Sequence, residues 1–343
     1  MTIRYPRPLR PGDRVAVTSP SSGVPERLRG RLDAAVRVVE ARGYEVVVGA
    51  CMDGSRHVSA SAGERAAEFQ AFLTDPGIRA VVPPWGGETA IDLVSLIDWD
   101  EVAAAEPTWV VGYSDMATLI TPLTLLSGTA TLHGANLMDT PYLKPEGLLS
   151  WLDIVELESG SGFTQSSPGR YRSPGWDDWT VDPGKQDLGL DRDGRWTRLD
   201  DGTGDVDVTG RLVGGCVETL CNLAGSPYLD VRGFARAHAP EGLVVYVEAC
   251  EDNALTICRN LHGMRLNGFF DHANAVVVGR TSAPDDATMT QYEAVVDALG
   301  TLGVPIVADV ECGHVYPHMP FVNGALTRVV HTADRSEVIQ SLV

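Results

Sequence analysis

Ser114, Glu248 and His314 are the side chains whose types and positions suggest chemistry. Each directly follows, or ends, a run of β-favouring residues: Trp109-Val110-Val111-Gly112 before Ser114, Val245-Tyr246-Val247 before Glu248, and Val304 to Val310 before His314. A serine hydroxyl needs a base to take its proton, and an imidazole titrates near neutral pH. The imidazole in turn needs a carboxylate that fixes its tautomer and stabilises its charged form. Taken singly, each has a plainer use. Ser114-Asp115 can cap a helix, a strand-end glutamate is commonly a solvated surface group, and a loop histidine is commonly structural. Glu251 is the rival carboxylate to Glu248.

The stretch around Ser114 is the most telling. Three β-favouring residues run into a glycine, the serine falls at the junction, and an apolar helix-like segment follows. A strand that turns sharply into a helix lifts the turn residue clear of the sheet edge. The helix start also offers free N–H groups and positive dipole, which an oxyanion requires. The pattern departs from G-x-S-x-G, because Met116 stands where the second glycine would be.

A frame must carry these residues. Arg14 to Thr18, Glu45 to Val48, Ala80 to Val82, Trp109 to Gly112 and Thr129 to Leu132 read as strands. Helical patterns over about Glu26 to Arg42, Ala60 to Leu73 and Glu88 to Ile97 separate the first four. This alternation predicts βαβ units and a parallel, Rossmann-like sheet. Ligands of such sheets sit beyond the carboxyl ends of the strands, where Ser114, Gly86-Gly87 and the loop Ser19 to Gly23 all fall. That loop does not match a nucleotide P-loop.

From Ser159 to Gly210 the composition shifts to Gly, Ser, Pro and Asp, interleaved with Trp176, Trp179 and Trp196. Plain linkers rarely carry three tryptophans, so an ordered excursion is expected, either lining a pocket or pinned by tryptophan packing. A second, smaller α/β unit follows. It has strands at Arg211 to Gly215, Leu243 to Val247, Ala275 to Val278 and Val304 to Val310, and helices at Val217 to Leu223, Asn253 to Met264 and Thr290 to Leu299. The expected divisions are 1–158, 159–210 and 211–343.

Apolar content of 44% and charged content of 21% suit a globular chain. No apolar run is long enough to span a bilayer, and the start lacks the apolar core of a secretion signal, so a cytoplasmic protein is expected. A net charge of −19 without a basic patch argues against nucleic-acid binding. The cysteines Cys51, Cys216, Cys221, Cys250, Cys258 and Cys312 form no C-x-x-C pair and read as mostly buried thiols of a reducing compartment.

In order along the chain, several motifs together resemble the serine LD-carboxypeptidases (peptidase family S66), and within them the microcin C immunity, MccF-like, branch. They are Leu9-Arg10-Pro11-Gly12-Asp13 with Val15 to Ser22, Gly86-Gly87 with Leu93 to Asp98, Gly112-Tyr113-Ser114-Asp115, Leu212-Val213-Gly214-Gly215 with Gly225-Ser226-Pro227-Tyr228, Val247 to Asp252, and Gly313-His314. The resemblance implies Ser114 as nucleophile, His314 as base and Glu248 as its orienting group. The backbone N–H groups of Gly87 and Asp115 would form the oxyanion hole. Gly86, Trp176, Trp179 and Cys216 would contact substrate, one tryptophan stacking on a nucleobase. It implies a homodimer that uses no metal and no cofactor. Two departures stand out: Cys216 where the branch often has asparagine, and Cys312-Gly313-His314 in place of phenylalanine-glycine-histidine.

The implied reaction is cleavage of the amide joining an acidic aminoacyl or peptidyl group to a nucleotide-like antibiotic, giving self-immunity. The alternatives are removal of a terminal D-residue from muropeptides, or acyl transfer to an amine. Two further classes compete. One is a metallohydrolase using Glu311, His314 and His318, which Gly313 and Pro317 disfavour by breaking any single helix. The other is a non-catalytic binding protein using the same pocket.

Overall fold

The computed structural model describes residues 2–200 and 202–343. Its first half builds β1 (Arg14–Val17), α1 (Arg29–Ala41), β2 (Glu45–Val48), α2 (Ala62–Thr74), β3 (Ile78–Val82), α3 (Trp99–Ala104), β4 (Trp109–Gly112), α4 (Ala117–Ser127), β5 (Thr131–His133) and α5 (Trp151–Val155). The strands β2, β1, β3, β4 and β5 lie side by side and parallel. β3 and β4 are buried along their whole length, as the Val-rich runs of a sheet covered on both faces should be.

The excursion is ordered. It contributes β6 (Gly162–Ser166), a two-stranded ribbon of β7 (Arg170–Tyr171) and β8 (Arg192–Asp193), and β9 (Thr197–Arg198). The remainder builds β10 (Val206–Cys216), α6 (Val217–Leu220), α7 (Val231–His238), β11 (Leu243–Glu248), α8 (Ala254–Leu266), β12 (Ala273–Gly279), α9 (Gln291–Leu299), β13 (Ile306–Val310), β14 (Phe321–Asn323), β15 (Leu326–His331) and β16 (Ser336–Ser341). Its sheet has eight strands in the order β6-β16-β15-β10-β11-β12-β13-β9. β10 to β13 run parallel, and antiparallel strands flank them on both sides.

Two connections tie the sheets together. β14 crosses over to pair antiparallel with β5, setting Phe321 opposite His133. α4 is buried on nearly all sides and meets β10, where Thr121 donates its hydroxyl proton to the Gly214 carbonyl at 2.8 Å. The C-terminal ends of β4 and of β11 therefore face a common space.

Some elements differ from the sequence expectation. The pattern over Glu88 to Ile97 forms only a short 3₁₀ turn at Ala90–Leu93. Its first N–H, on Ala90, is taken by the Asp115 carboxylate at 2.9 Å, so the segment serves the loop after β4. The true helix starts one step later, at Trp99, where Asp98 caps it through the Glu101 N–H. α7 and the antiparallel strands after His318 are absent from the sequence expectation; β15 and β16 form a local hairpin, but β14, β15 and β16 also pair with β5, β10 and β6, far along the chain. No helix among the described residues is long and apolar enough to cross a membrane.

Candidate active site

Ser114 begins a 3₁₀ turn directly after β4 and its backbone has φ of 64°, a left-handed conformation uncommon for a residue with a side chain. Such strain costs about 1–3 kcal/mol and persists only where the surroundings enforce it. Here they do. Behind it, the Tyr113 N–H is held by the Asn136 side chain at 3.3 Å; ahead of it, Asp115 is locked by Ala90 N–H and by the Thr118 hydroxyl at 3.3 Å. Ser114 caps no helix: the N-cap position is Tyr113, without a side-chain cap bond.

Gly86 comes close to this serine. A Cβ on Gly86 would lie 2.9 Å from the Ser114 Cβ, 3.0 Å from its Oγ and 3.2 Å from the Asp115 nitrogen. Only a glycine leaves the hydroxyl open there. The loop Ser19 to Gly23 supports this turn, and its Ser22 lines the same cleft: the Ser21 hydroxyl accepts the Thr89 N–H at 2.9 Å, and Trp85 donates its ring N–H to the Ser22 carbonyl at 3.0 Å.

Glu248 is the last residue of β11 and is buried. Its Oε2 stands 2.8 Å from Nδ1 of His314. Gly313 makes the approach possible: at φ of 104°, a Cβ there would lie 2.6 Å from the same oxygen. The His314 ring is wedged edge-on against Tyr113, with centroids 4.9 Å apart. Burial alone would lower the His314 pKa, but the Glu248 carboxylate, aided by the Cys250 thiol, outweighs it and holds the imidazole well above its usual value. The other carboxylate oxygen, Oε1, faces Nε2 of His133 at 4.0 Å, beyond hydrogen-bond range, and neither atom has a partner. Burial holds the His133 pKa well below its usual value and pushes His318 down to about 3, with Lys144 adding to the effect on His318.

Ser114, His314, Gly86, Gly87, Asp115, Trp176, Trp179 and Cys216 line one cleft of about 690 Å³. The two tryptophans differ. Trp179 is tied down: its ring N–H donates to the Tyr142 hydroxyl at 2.9 Å, and the Arg31 guanidinium lies 4.8 Å from its ring centroid. Trp176 is 63% exposed and meets only the edge of Tyr316 among the aromatic rings, at 6.4 Å. Trp196 is in the core, donating to Glu311 at 2.7 Å, and does not line the cleft. Cys216 is buried and its thiol donates to Glu218 at 3.0 Å.

Several contributors escaped the sequence reading. Glu218 accepts the backbone N–H groups of Cys250 and Glu251 at 2.8 Å and of Asp252 at 3.1 Å, fastening the loop that follows Glu248. These bonds and the Cys216 thiol outweigh burial and hold its carboxyl below the usual range. Asp139 accepts from the Tyr316 hydroxyl at 2.6 Å and from Tyr113 at 3.4 Å, bracing the wall beside His314. Nothing in local spacing marks these residues, since their partners are distant along the chain.

The metallohydrolase grouping is not assembled. Glu311 is taken by Trp196 and Ser167, His318 turns Nδ1 to the Gly313 carbonyl at 3.1 Å, and His314 turns to Glu248. Glu251 lies at the rim, exposed. All six cysteines are free; Cys51, Cys216 and Cys312 are buried.

Residues 15–134 match the LD-carboxypeptidase N-terminal domain and residues 209–329 the LD-carboxypeptidase C-terminal domain. The microcin C7 self-immunity protein MccF of Escherichia coli is 24% identical over 317 residues, covering 90% of this chain and 88% of that protein. A solved structure of MccF in complex with aspartyl sulfamoyl adenosine superimposes with a TM-score of 0.80 at 22% identity, covering 99% of this chain and 98% of the other. A muramoyltetrapeptide carboxypeptidase from Oxalobacter formigenes has the same fold, with a TM-score of 0.68 at 19% identity over 96% of this chain and 98% of that one.

Proposed function

Because this chain belongs to the serine LD-carboxypeptidase family, peptidase family S66, we propose that it is a serine amidohydrolase working through an acyl-serine intermediate, with Ser114, His314 and Glu248 as its triad. The observation that carries this reading is the 2.8 Å contact between His314 Nδ1 and Glu248 beside a cleft that also holds the strained Ser114. With Nδ1 committed to Glu248, Nε2 is the nitrogen left to serve the serine.

The steps follow from these groups. Ser114 Oγ attacks the amide carbon while its proton passes to His314 Nε2. The carbonyl oxygen becomes an oxyanion, received by the backbone N–H groups of Gly87 and Asp115, which lie at turn starts outside any ladder. The imidazolium returns the proton to the departing nitrogen and the C–N bond breaks. Water, deprotonated by His314, then cleaves the acyl-serine ester and frees Ser114.

For substrate, the reading is an amide that joins an aminoacyl group to a nucleoside-like leaving group, by analogy with the ligand named for MccF. Trp176 supports this, being an exposed indole at the cleft wall on which a base can stack. Cys216, Glu218, Cys250, Glu251 and Arg27 are among the other residues that line this cleft. By the same analogy the acyl group is an acidic aminoacyl group, as in the aspartyl ligand named for MccF. The second reading, removal of a terminal D-residue from a muropeptide, rests on the match to the LD-carboxypeptidase domains.

Incubating the protein with alanyl, lysyl and aspartyl sulfamoyl adenosines beside an LD-tetrapeptide tests both. Release of sulfamoyl adenosine, fastest from the aspartyl compound, is expected. Turnover of the tetrapeptide alone would reverse the order of the readings.

The proposed extents are 1–158 for the portion bearing the nucleophile, 159–210 for the excursion and 211–343 for the portion bearing the Glu and His. A homodimeric, cytoplasmic enzyme is the state proposed for it.

A further inference from the structure

Away from the cleft, three donors of different chemistry meet on the outer face of the second sheet. Cys258 and His262 stand one turn apart on α8, so both project from the same side of that helix. Asp297, on α9, faces them across the helix pair. Its Oδ1 lies 2.8 Å from His262 Nε2 and 3.4 Å from Cys258 Sγ. The ligand atoms all fall within 4.8 Å of one another, and no other group of His, Cys, Asp and Glu among the described residues converges in this way.

The donor set is informative. A thiolate, an imidazole and a carboxylate together suit zinc better than calcium or magnesium, which take oxygen ligands. Zinc bonds of about 2.0–2.3 Å in a tetrahedron place donor atoms roughly 3.3–3.8 Å apart. The Cys258–Asp297 separation already fits, and the His262–Asp297 pair needs only to open slightly as the ion replaces their shared hydrogen. Cys258 and His262 are half-buried while Asp297 is exposed, which leaves a fourth position and an entry path on the solvent side. The i, i+4 spacing on a 13-residue helix removes most of the ordering cost for two of the three ligands.

We propose that Cys258, His262 and Asp297 form a zinc-binding site that clips α8 to α9. The clip has a definite neighbour. α8 and α9 supply Ile257, Leu261, Gln291 and Val295 to the wall of a cavity of about 390 Å³ that reaches Glu248 on its inner side. Zinc would therefore stiffen the layer behind Glu248 without touching the reacting groups. Binding releases the thiol proton, so uptake weakens as pH falls.

The test is a competition titration of Zn²⁺ against a chromogenic chelator, using the full chain after reduction and chelator treatment. Wild type, Cys258→Ser, His262→Ala and Asp297→Asn are compared, with circular dichroism confirming that each is folded. One equivalent of Zn²⁺ is expected on wild type, weakened at least about tenfold in each variant. One equivalent should also raise the wild-type melting temperature, and protect one thiol that Cys258→Ser no longer presents. Ser114→Ala should bind Zn²⁺ as wild type does, which separates this site from the proposed hydrolase chemistry. Equal Zn²⁺ affinity across wild type and the three variants, or no uptake by wild type, overturns the proposal.

Discussion

Nδ1 of His314 and Oε2 of Glu248 stand 2.8 Å apart although 66 residues separate them in the chain. In the proposed triad this contact occupies Nδ1 and leaves Nε2 as the base. Replacing Glu248 with Gln removes the charge while keeping the shape. We expect kcat to fall roughly 10⁴-fold, as for loss of the carboxylate in other triads.

The same contact sets a pH dependence. Because Glu248 holds the His314 pKa well above its usual value, the imidazole is protonated, and useless as a base, over a wider acidic range. The kcat/KM profile should therefore rise through an apparent pKa above about 6.5, and in Glu248→Gln the limb should move to lower pH. For stability the sign is opposite: the imidazolium stabilises the fold below the unfolded value, and that contribution is lost as pH rises through the raised folded value. Rate profiles and melting curves from pH 5 to 9 measure both.

Ser114→Ala should abolish turnover, by roughly 10⁴- to 10⁶-fold, with the melting temperature little changed, because alanine keeps the Cβ already present at this position. Undiminished hydrolysis by this variant would remove Ser114 from the mechanism.

Gly86→Ala carries a methyl group that would lie 3.0 Å from the Ser114 hydroxyl. The expected result is a large loss of kcat in a folded protein. Acylation by a small serine-directed reagent, followed by mass spectrometry, should be slowed in parallel. Normal acylation would show that the turn can yield.

Trp176→Ala and Trp179→Ala should separate by readout. Loss of a stacking platform is worth about 1–3 kcal/mol per base, so Trp176→Ala should raise KM for a nucleoside-bearing substrate roughly 5- to 150-fold and leave the melting temperature alone. Trp179 is held by Tyr142 and Arg31, so Trp179→Ala should lower the melting temperature. The opposite pattern would exchange their roles.

The sequence by itself determined the local grammar. Valine-rich runs between amphipathic segments specified the parallel strands, and strands β2 and β4 lie where hydrophobic patterning put them. Ser114, Glu248 and His314 stand out in the sequence because each lies at, or within four residues of, the end of a strand. Gly86, Gly313 and the ordered motifs around them were legible as a family pattern, without the reason for each glycine. Only the tertiary structure decided what those side chains touch. The closeness of Glu248 to His314, the tethering of Trp179 and the freedom of Trp176, the staple that Glu218 places on the loop after β11, and the crossing of β14 into the first sheet are contacts between residues distant along the chain. Periodicity records how a segment relates to its immediate neighbours and to water. It carries no record of which distant segment arrives, because that choice is made by the packing of whole elements.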